Sequence, residues 1–541
     1  MLQPQNGTMK YEQVFSDIDK GIIKIPKFQR EFVWDKQQTA KLVDSIIKGF
    51  PLGTFIFWKT KDGLRHVKDI GNAKLPQLPK GDSAYYVLDG QQRLTSLYAV
   101  RKGLTITKDG REIDYKDIAI DLSLDPDDDD QVVSTEVPNG NRYITVYKLL
   151  NGGLVELVDD YSKDELKKIE IYQKRLTGYD FSTIIIADYP LDIACEVFTR
   201  INTGGTILTL FEIMVAKTYD ESKKFDLAFE CDMLIDNNGT GKDLEDSGYE
   251  TVPHSVVLQC VAAHLCKQIR RKDILKLDKN KFIKEWPTVK EGIFKAVDYL
   301  RTHLRVHVSK LLPYPVILVP LTYFFIKAGK KPTSLLQNKL LSQYFWWASI
   351  GSRFTSGVEG RIAADLKRMD KILKEVKPKY TGEEVTITAE DLASRQFSAS
   401  DAFCKAVVCL YAAHEPKSFD SGSVVLLDNS WLKQANSKNY HHFFPKAFLK
   451  KKGFDTSRAN SLVNITLVSD SLNKAQIRAQ APSQYMKQFR KSNHDIDKIM
   501  KTHLIDDLQA FGIWTDDYEA FITKRAKKIL AALEHRLTPR F

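Results

Sequence analysis

The sequence predicts an α+β, multidomain protein, and three observations carry that expectation. The chain has 541 residues, well beyond the roughly 100–200 residues of a single domain. Residues 1–220 alternate short apolar strands with helical text, whereas residues 221–395 are helical almost throughout. A polar, turn-rich stretch at 380–398 then sets off a last segment in which strand text returns among helices. The expected units are an N-terminal α/β domain (1–220), a helical linker domain (221–395) and a C-terminal domain (396–541).

Each element has a local reason. Residues 37–48 (QQTAKLVDSIIK) carry apolar side chains at helical spacing and stop at Gly49. Residues 53–58 (GTFIFW) and 85–88 (YYVL) are apolar, β-favouring runs, the second breaking at Asp89-Gly90 into a helix over 93–101. A further strand at 183–187 (TIIIA) leads through a helix to the turn Arg200-Ile201-Asn202-Thr203-Gly204-Gly205, and a helix restarts near Leu210. The acidic run at 125–130 (DPDDDD) reads as a solvated loop, because contiguous carboxylates repel and cannot all face one ion. In the helical middle, 256–270 and 340–348 are amphipathic, no solenoid repeat is present, and Tyr344-Phe345-Trp346-Trp347 reads as core packing.

Bulk composition narrows the class. With 43% apolar and 28% charged residues the chain can bury real cores and is not disordered. A formal charge of +11 and a pI near 9.0 favour a polyanionic partner. Six cysteines without a CxxC pair read as reduced thiols of a cytoplasmic protein. The N-terminus lacks a basic-then-apolar signal pattern, and no uncharged apolar run approaches the ~18 residues of a membrane span. No membrane partner is expected.

The most informative text is C-terminal: NYHHFFPK at 439–446, Asn464 within SLVNITLV, and Asn473 within SDSLNKAQ. Adjacent histidines on a strand point to opposite faces unless the strand is bent. His441-His442, then Asn464, then Asn473 opening a helix nine residues later, describes a β-hairpin and helix around one cation. Phosphodiester hydrolysis asks for those types: a neutral imidazole to activate water, an amide to orient it, and a cation to take up charge on oxygen. A His nitrogen with an amide oxygen suits hydrated Mg²⁺ or Mn²⁺ better than Zn²⁺.

This segment resembles the HNH-superfamily nuclease module with an HxxP signature found in GmrSD-type modification-dependent restriction enzymes, His442-Phe443-Phe444-Pro445 being the HxxP. The resemblance implies His442 as general base, Asn464 as its orienting residue, and His441 with Asn473 as metal ligands. It implies a ββα-metal (HNH-like) C-terminal domain embedded in helices. One departure is His441, where family members often carry an acid immediately before the base.

Four N-terminal pieces recur in order: Ile25-Pro26-Lys27-Phe28-Gln29-Arg30 with Trp34, Gly49-Phe50-Pro51-Leu52-Gly53, Asp89-Gly90-Gln91-Gln92-Arg93, and Phe198 through Asn202-Thr203-Gly204-Gly205. Asp89-Gly90 allows a tight turn after a buried strand. Gln91, Gln92 and Arg93 then begin a helix whose free N–H groups favour phosphate. Arg93 could contact an anion bidentately and Asp89 could hold a cation or polarise water, with Gln29-Arg30 converging on the same cleft. The alternative is a helix cap with structural arginine bridges. Together the four pieces resemble the ParB/sulfiredoxin-like domain that partners the HxxP nuclease in GmrSD-type proteins. That likeness implies nucleoside triphosphate binding and hydrolysis at Asp89–Arg93, with Gln29, Arg30 and Asn202 contributing, and sensing of modified DNA.

The combined expectation is a metal-dependent endonuclease acting on modified phage DNA under control of an N-terminal NTPase domain. Its rivals are a nucleotide-hydrolysing, DNA-binding regulator with an inactive nuclease module, and an RNA-directed nuclease. A homo-oligomer is left open.

Overall fold

The structure, a computed structural model, describes residues 3–27, 29, 32–61, 64, 69–70, 73–76, 78–79, 81–108, 111–125, 127, 131–136, 142–201, 209–237, 239, 241–380, 385–429, 440–469, 472, 477 and 479–538. It is α+β, helical over about 52% of its length, with small sheets. The chain divides into two units, Met1–Leu227 and Ala228–Phe541.

In the first unit the apolar runs pair into a five-stranded mixed sheet. Its spatial order is Gln5–Lys10, Asp180–Ala187, Phe55–Thr60, Ala84–Asp89 and Ile23–Lys24. Successive neighbours are antiparallel, parallel, antiparallel and parallel. One face is closed by helices that begin where capping chemistry directs. Asp35 and Gln38 form a reciprocal capping box on the Lys36–Ile47 helix, which ends before Gly49 at φ +70°. Ser162 and Glu165 do the same for Lys163–Thr177. Phe15, Val43, Phe55, Val87, Leu97 and Phe181 lie in the resulting core, all essentially inaccessible to solvent.

The second unit holds the segments 228–395 and 396–541 together. The long Lys279–Thr302 helix packs on Leu318–Ala328, and Gly292 lets them approach so closely that a Cβ there would stand 2.4 Å from Ile326. Tyr344, Phe345, Trp346 and Trp347 are buried within the Leu335–Ile350 helix, as core. Beneath them Asp365 is fully buried and takes hydrogen bonds from Arg353, Arg368 and the Tyr344 hydroxyl. Gln343 donates to the Leu537 carbonyl, tying the helical middle to the last helix, Tyr518–Leu537. Cys266 is exposed and the other five cysteines are buried. Among the described residues no helix is long and apolar enough to cross a membrane.

Candidate functional site

The two histidines stand on a three-residue strand, Tyr440–His442, antiparallel to Ile465–Leu467. His441 lies opposite Thr466 and His442 opposite Ile465, so the pleat sends the two imidazoles to opposite faces. Tyr440 packs on Phe397 at 4.9 Å, and His441 is only 4% exposed. His442 remains partly exposed.

The turn after His442 is anchored at several points. Phe443 and Phe444 are both fully buried, Phe443 stacking on Phe521 at 5.0 Å and Phe444 lying against Tyr518 and Phe521. The Tyr485 hydroxyl donates to the Phe443 carbonyl at 2.5 Å. Asn464, fully buried, accepts from the Phe444 N–H at 2.8 Å and donates to the Phe444 and Ala459 carbonyls at 2.9 and 3.0 Å. Behind the partner strand, Arg525 is completely buried among backbone carbonyls. It donates to those of Val463, Ile465 and His503, and its guanidinium lies over Tyr411. Burial lowers the Arg525 pKa from its ordinary value. His503 completes this layer, its Nδ1 meeting the Thr466 hydroxyl and its Nε2 the Lys417 carbonyl; burial lowers its pKa to about 4.

Sequence reasoning expected Asn464 to orient His442, but the amide on the ring is Asn460. Asn460 follows the four-residue helix Thr456–Ala459 and is held by Phe397 at both backbone groups: the Phe397 N–H donates to its carbonyl, and its Nδ2 donates to the Phe397 carbonyl. Since a carbonyl can only accept, this places Oδ1 toward His442, 2.9 Å from Nε2. The ring therefore carries its proton on Nε2 and a lone pair on Nδ1. Burial, with the Lys446 cation adding to it, pushes its pKa down to about 4, so the imidazole is neutral at cellular pH. Asn464 acts one step back, setting the course of the Phe444 backbone.

No sequence signal pointed to Asn460, whose contact depends on where two loops meet. Arg525 did leave one: it interrupts the apolar stripe Phe521, Ile529, Leu533 at four-residue spacing, and a charge on a buried helix face asks for a reason. Asn473, the other proposed metal ligand, lies outside the described residues. Among the described residues no cluster of three or more His, Cys, Asp or Glu is assembled. A cation at His441 would have to draw the rest of its shell from Asn473, substrate and water.

In the first unit the Asp89–Arg93 turn is built differently. Gly90 caps the Gln91–Lys102 helix at φ +94°, and a Cβ there would lie 2.3 Å from the Phe55 ring. No side chain caps this helix. The expected anion contact from Arg93 is not presented. Its guanidinium donates to the Leu52 and Thr54 carbonyls, pairs with Asp89 at 3.1 Å and lies over Phe55 at 5.1 Å. Gln29 does reach this turn, donating to the Val87 and Leu88 carbonyls at 2.8 and 3.1 Å. The Gln92 side-chain oxygen accepts from the Val33 N–H. Arg30 and Asn202 lie outside the described residues.

Comparison with known proteins respects this division. Residues 11–219 match the family model of the GmrSD restriction endonuclease N-terminal domain. Across 94% of the chain and 96% of its own length, an uncharacterized protein of Methanocaldococcus jannaschii is 24% identical. The N-terminal match supports a restriction-endonuclease type of system, with a defence-related function and DNA as substrate.

Proposed function

We propose that this chain is a modification-dependent DNA endonuclease of HNH type, acting against phage DNA, whose cutting is governed by nucleotide binding and hydrolysis in the N-terminal unit. The observation that carries the reading is His442: a partly exposed, neutral imidazole with its proton held on Nε2 by Asn460 and a lone pair left on Nδ1. The GmrSD-type match in the other half of the chain supports pairing such a base with DNA.

In this mechanism Nδ1 of His442 takes a proton from the attacking water, and Asn460 Oδ1 holds the resulting imidazolium in place through Nε2–H. Water attacks phosphorus in line with the 3′ oxygen, giving 5′-phosphate and 3′-hydroxyl ends. His441 and Asn473 are the proposed ligands for Mg²⁺ or Mn²⁺, which would supply neutralisation of charge on the phosphate oxygens. In the N-terminal unit, the start of the Gln91–Lys102 helix is the proposed seat of a triphosphate, with Arg93 and Asp89 holding the turn in shape.

The test is cleavage of differently modified phage DNAs by the pure chain with Mg²⁺ or Mn²⁺, with and without each nucleoside triphosphate. His442→Ala is expected to lower the rate by about 10³-fold or more with melting unchanged. A wild-type chain that hydrolyses nucleotide and binds DNA but never cuts would instead support a regulator with an inactive nuclease module.

A further inference from the structure

We propose that Lys446 grips a phosphate of the nucleic-acid strand lying against His442, so that one short turn delivers both the base and the group that receives the substrate. The inference rests on the nuclease reading and adds to it the protein side chain that meets the phosphodiester. Lys446 is rigidly placed: Asn464 clamps the Phe444 backbone, Pro445 sits at φ −57°, and Lys446 opens the Lys446–Lys451 helix. Lys446 follows His442 by four residues in the same turn, and its charge adds to burial in lowering the pKa of that ring.

This cation has no answering anion among the described residues. Burial of part of the side chain lowers its pKa, and no carboxylate offsets the loss. Two acids of the same region are engaged with Arg458: Asp455 accepts from its N–H, and Glu519 pairs with its guanidinium. Lys450, Lys451 and Lys452, exposed beyond it, extend the positive surface. Lys446 is itself exposed, so its ammonium is open to an anion from solution. A phosphate meeting that ammonium is held where the water activated by His442 would strike.

The experiment measures binding of the full chain to a short labelled DNA duplex in metal-free buffer over a salt series, alongside nicking of supercoiled plasmid with Mg²⁺ or Mn²⁺. Lys446→Gln is expected to weaken binding about tenfold and to make the slope of log K against log salt shallower by about 0.9. At saturating DNA its kcat falls about a hundredfold. Lys446→Arg keeps the salt slope, and Lys284→Gln on the Lys279–Thr302 helix changes nothing. Wild-type affinity and slope in Lys446→Gln, or no duplex binding by the wild-type chain, overturns the inference. A wild-type chain that binds but never nicks removes the nuclease reading, while the salt slope still decides whether Lys446 meets phosphate.

Discussion

The Asp89–Arg93 turn and the His442 turn use the same chemistry to opposite ends. Around Asp89–Arg93, side chains are committed to backbone: Gln29 holds two carbonyls, Gln92 an N–H, and Arg93 two carbonyls and a carboxylate. The group left without a side-chain cap is the start of a helix. Around His442, Asn464 and Arg525 likewise hold backbone groups, and what they leave presented is a side chain. The difference teaches that the most polar residues of a motif are often its frame. In the function proposed above, the chemistry falls to what the frame presents, the start of a helix in one unit and an imidazole in the other.

Removing a frame residue should therefore disturb the fold, and removing a presented group should disturb function alone. The largest effect is expected for Asn464→Ala, which strands a buried N–H and two carbonyls and should destabilise the second unit by about 3 kcal/mol. Hydrogen exchange over 440–467 reads it out, and unchanged protection would move Asn464 out of the frame. Acid tests the layer behind the strand. An unfolded imidazole protonates near 6.5, whereas His503 resists protonation down to about 4. Between those values the unfolded state binds the extra proton, so stability is present above pH 6.5 and falls on acidification by about 3 kcal/mol. His503→Gln should remove its share of that decline in denaturant titrations, leaving the similar share of His442. Arg93→Ala should raise exchange across 84–102 about thirtyfold, equivalent to about 2 kcal/mol, with or without nucleotide. An effect confined to nucleotide-bound protein would instead make Arg93 a ligand. Smallest is Asn460→Ala, expected to slow DNA cutting about tenfold through a freed ring, with about 1 kcal/mol of stability lost with the bond to Phe397. A rate equal to that of the wild type would place the orienting group elsewhere.

Much of the first unit was legible because its signals are local. Apolar spacing over 37–48 writes a helix, Gly49 its stop, and Asp89-Gly90 a break, and the elements form there: Lys36–Ile47, Ala84–Asp89 and Gln91–Lys102. The strand expected at 53–58 forms at Phe55–Thr60, shifted because Gly53 and Thr54 lie in the loop that Arg93 gathers. At the C-terminal site the strand bearing His441 and His442 was legible and the ring's partner was not. Asn464 matches a motif position, whereas Asn460 reaches the ring because Phe397, some sixty residues earlier, holds it there.

Taken alone, the sequence determined the helix starts and stops, the strand that carries the two histidines, and which residue types were equipped for acid–base and phosphate chemistry. Those come from spacing and from interactions a few residues long. Only the tertiary structure decided that Arg93 braces a loop, that Asn460 rather than Asn464 meets the His442 ring, and that Lys446 is exposed with no ion pair among the described residues. Each depends on burial and on partners distant in the chain, which no local pattern encodes.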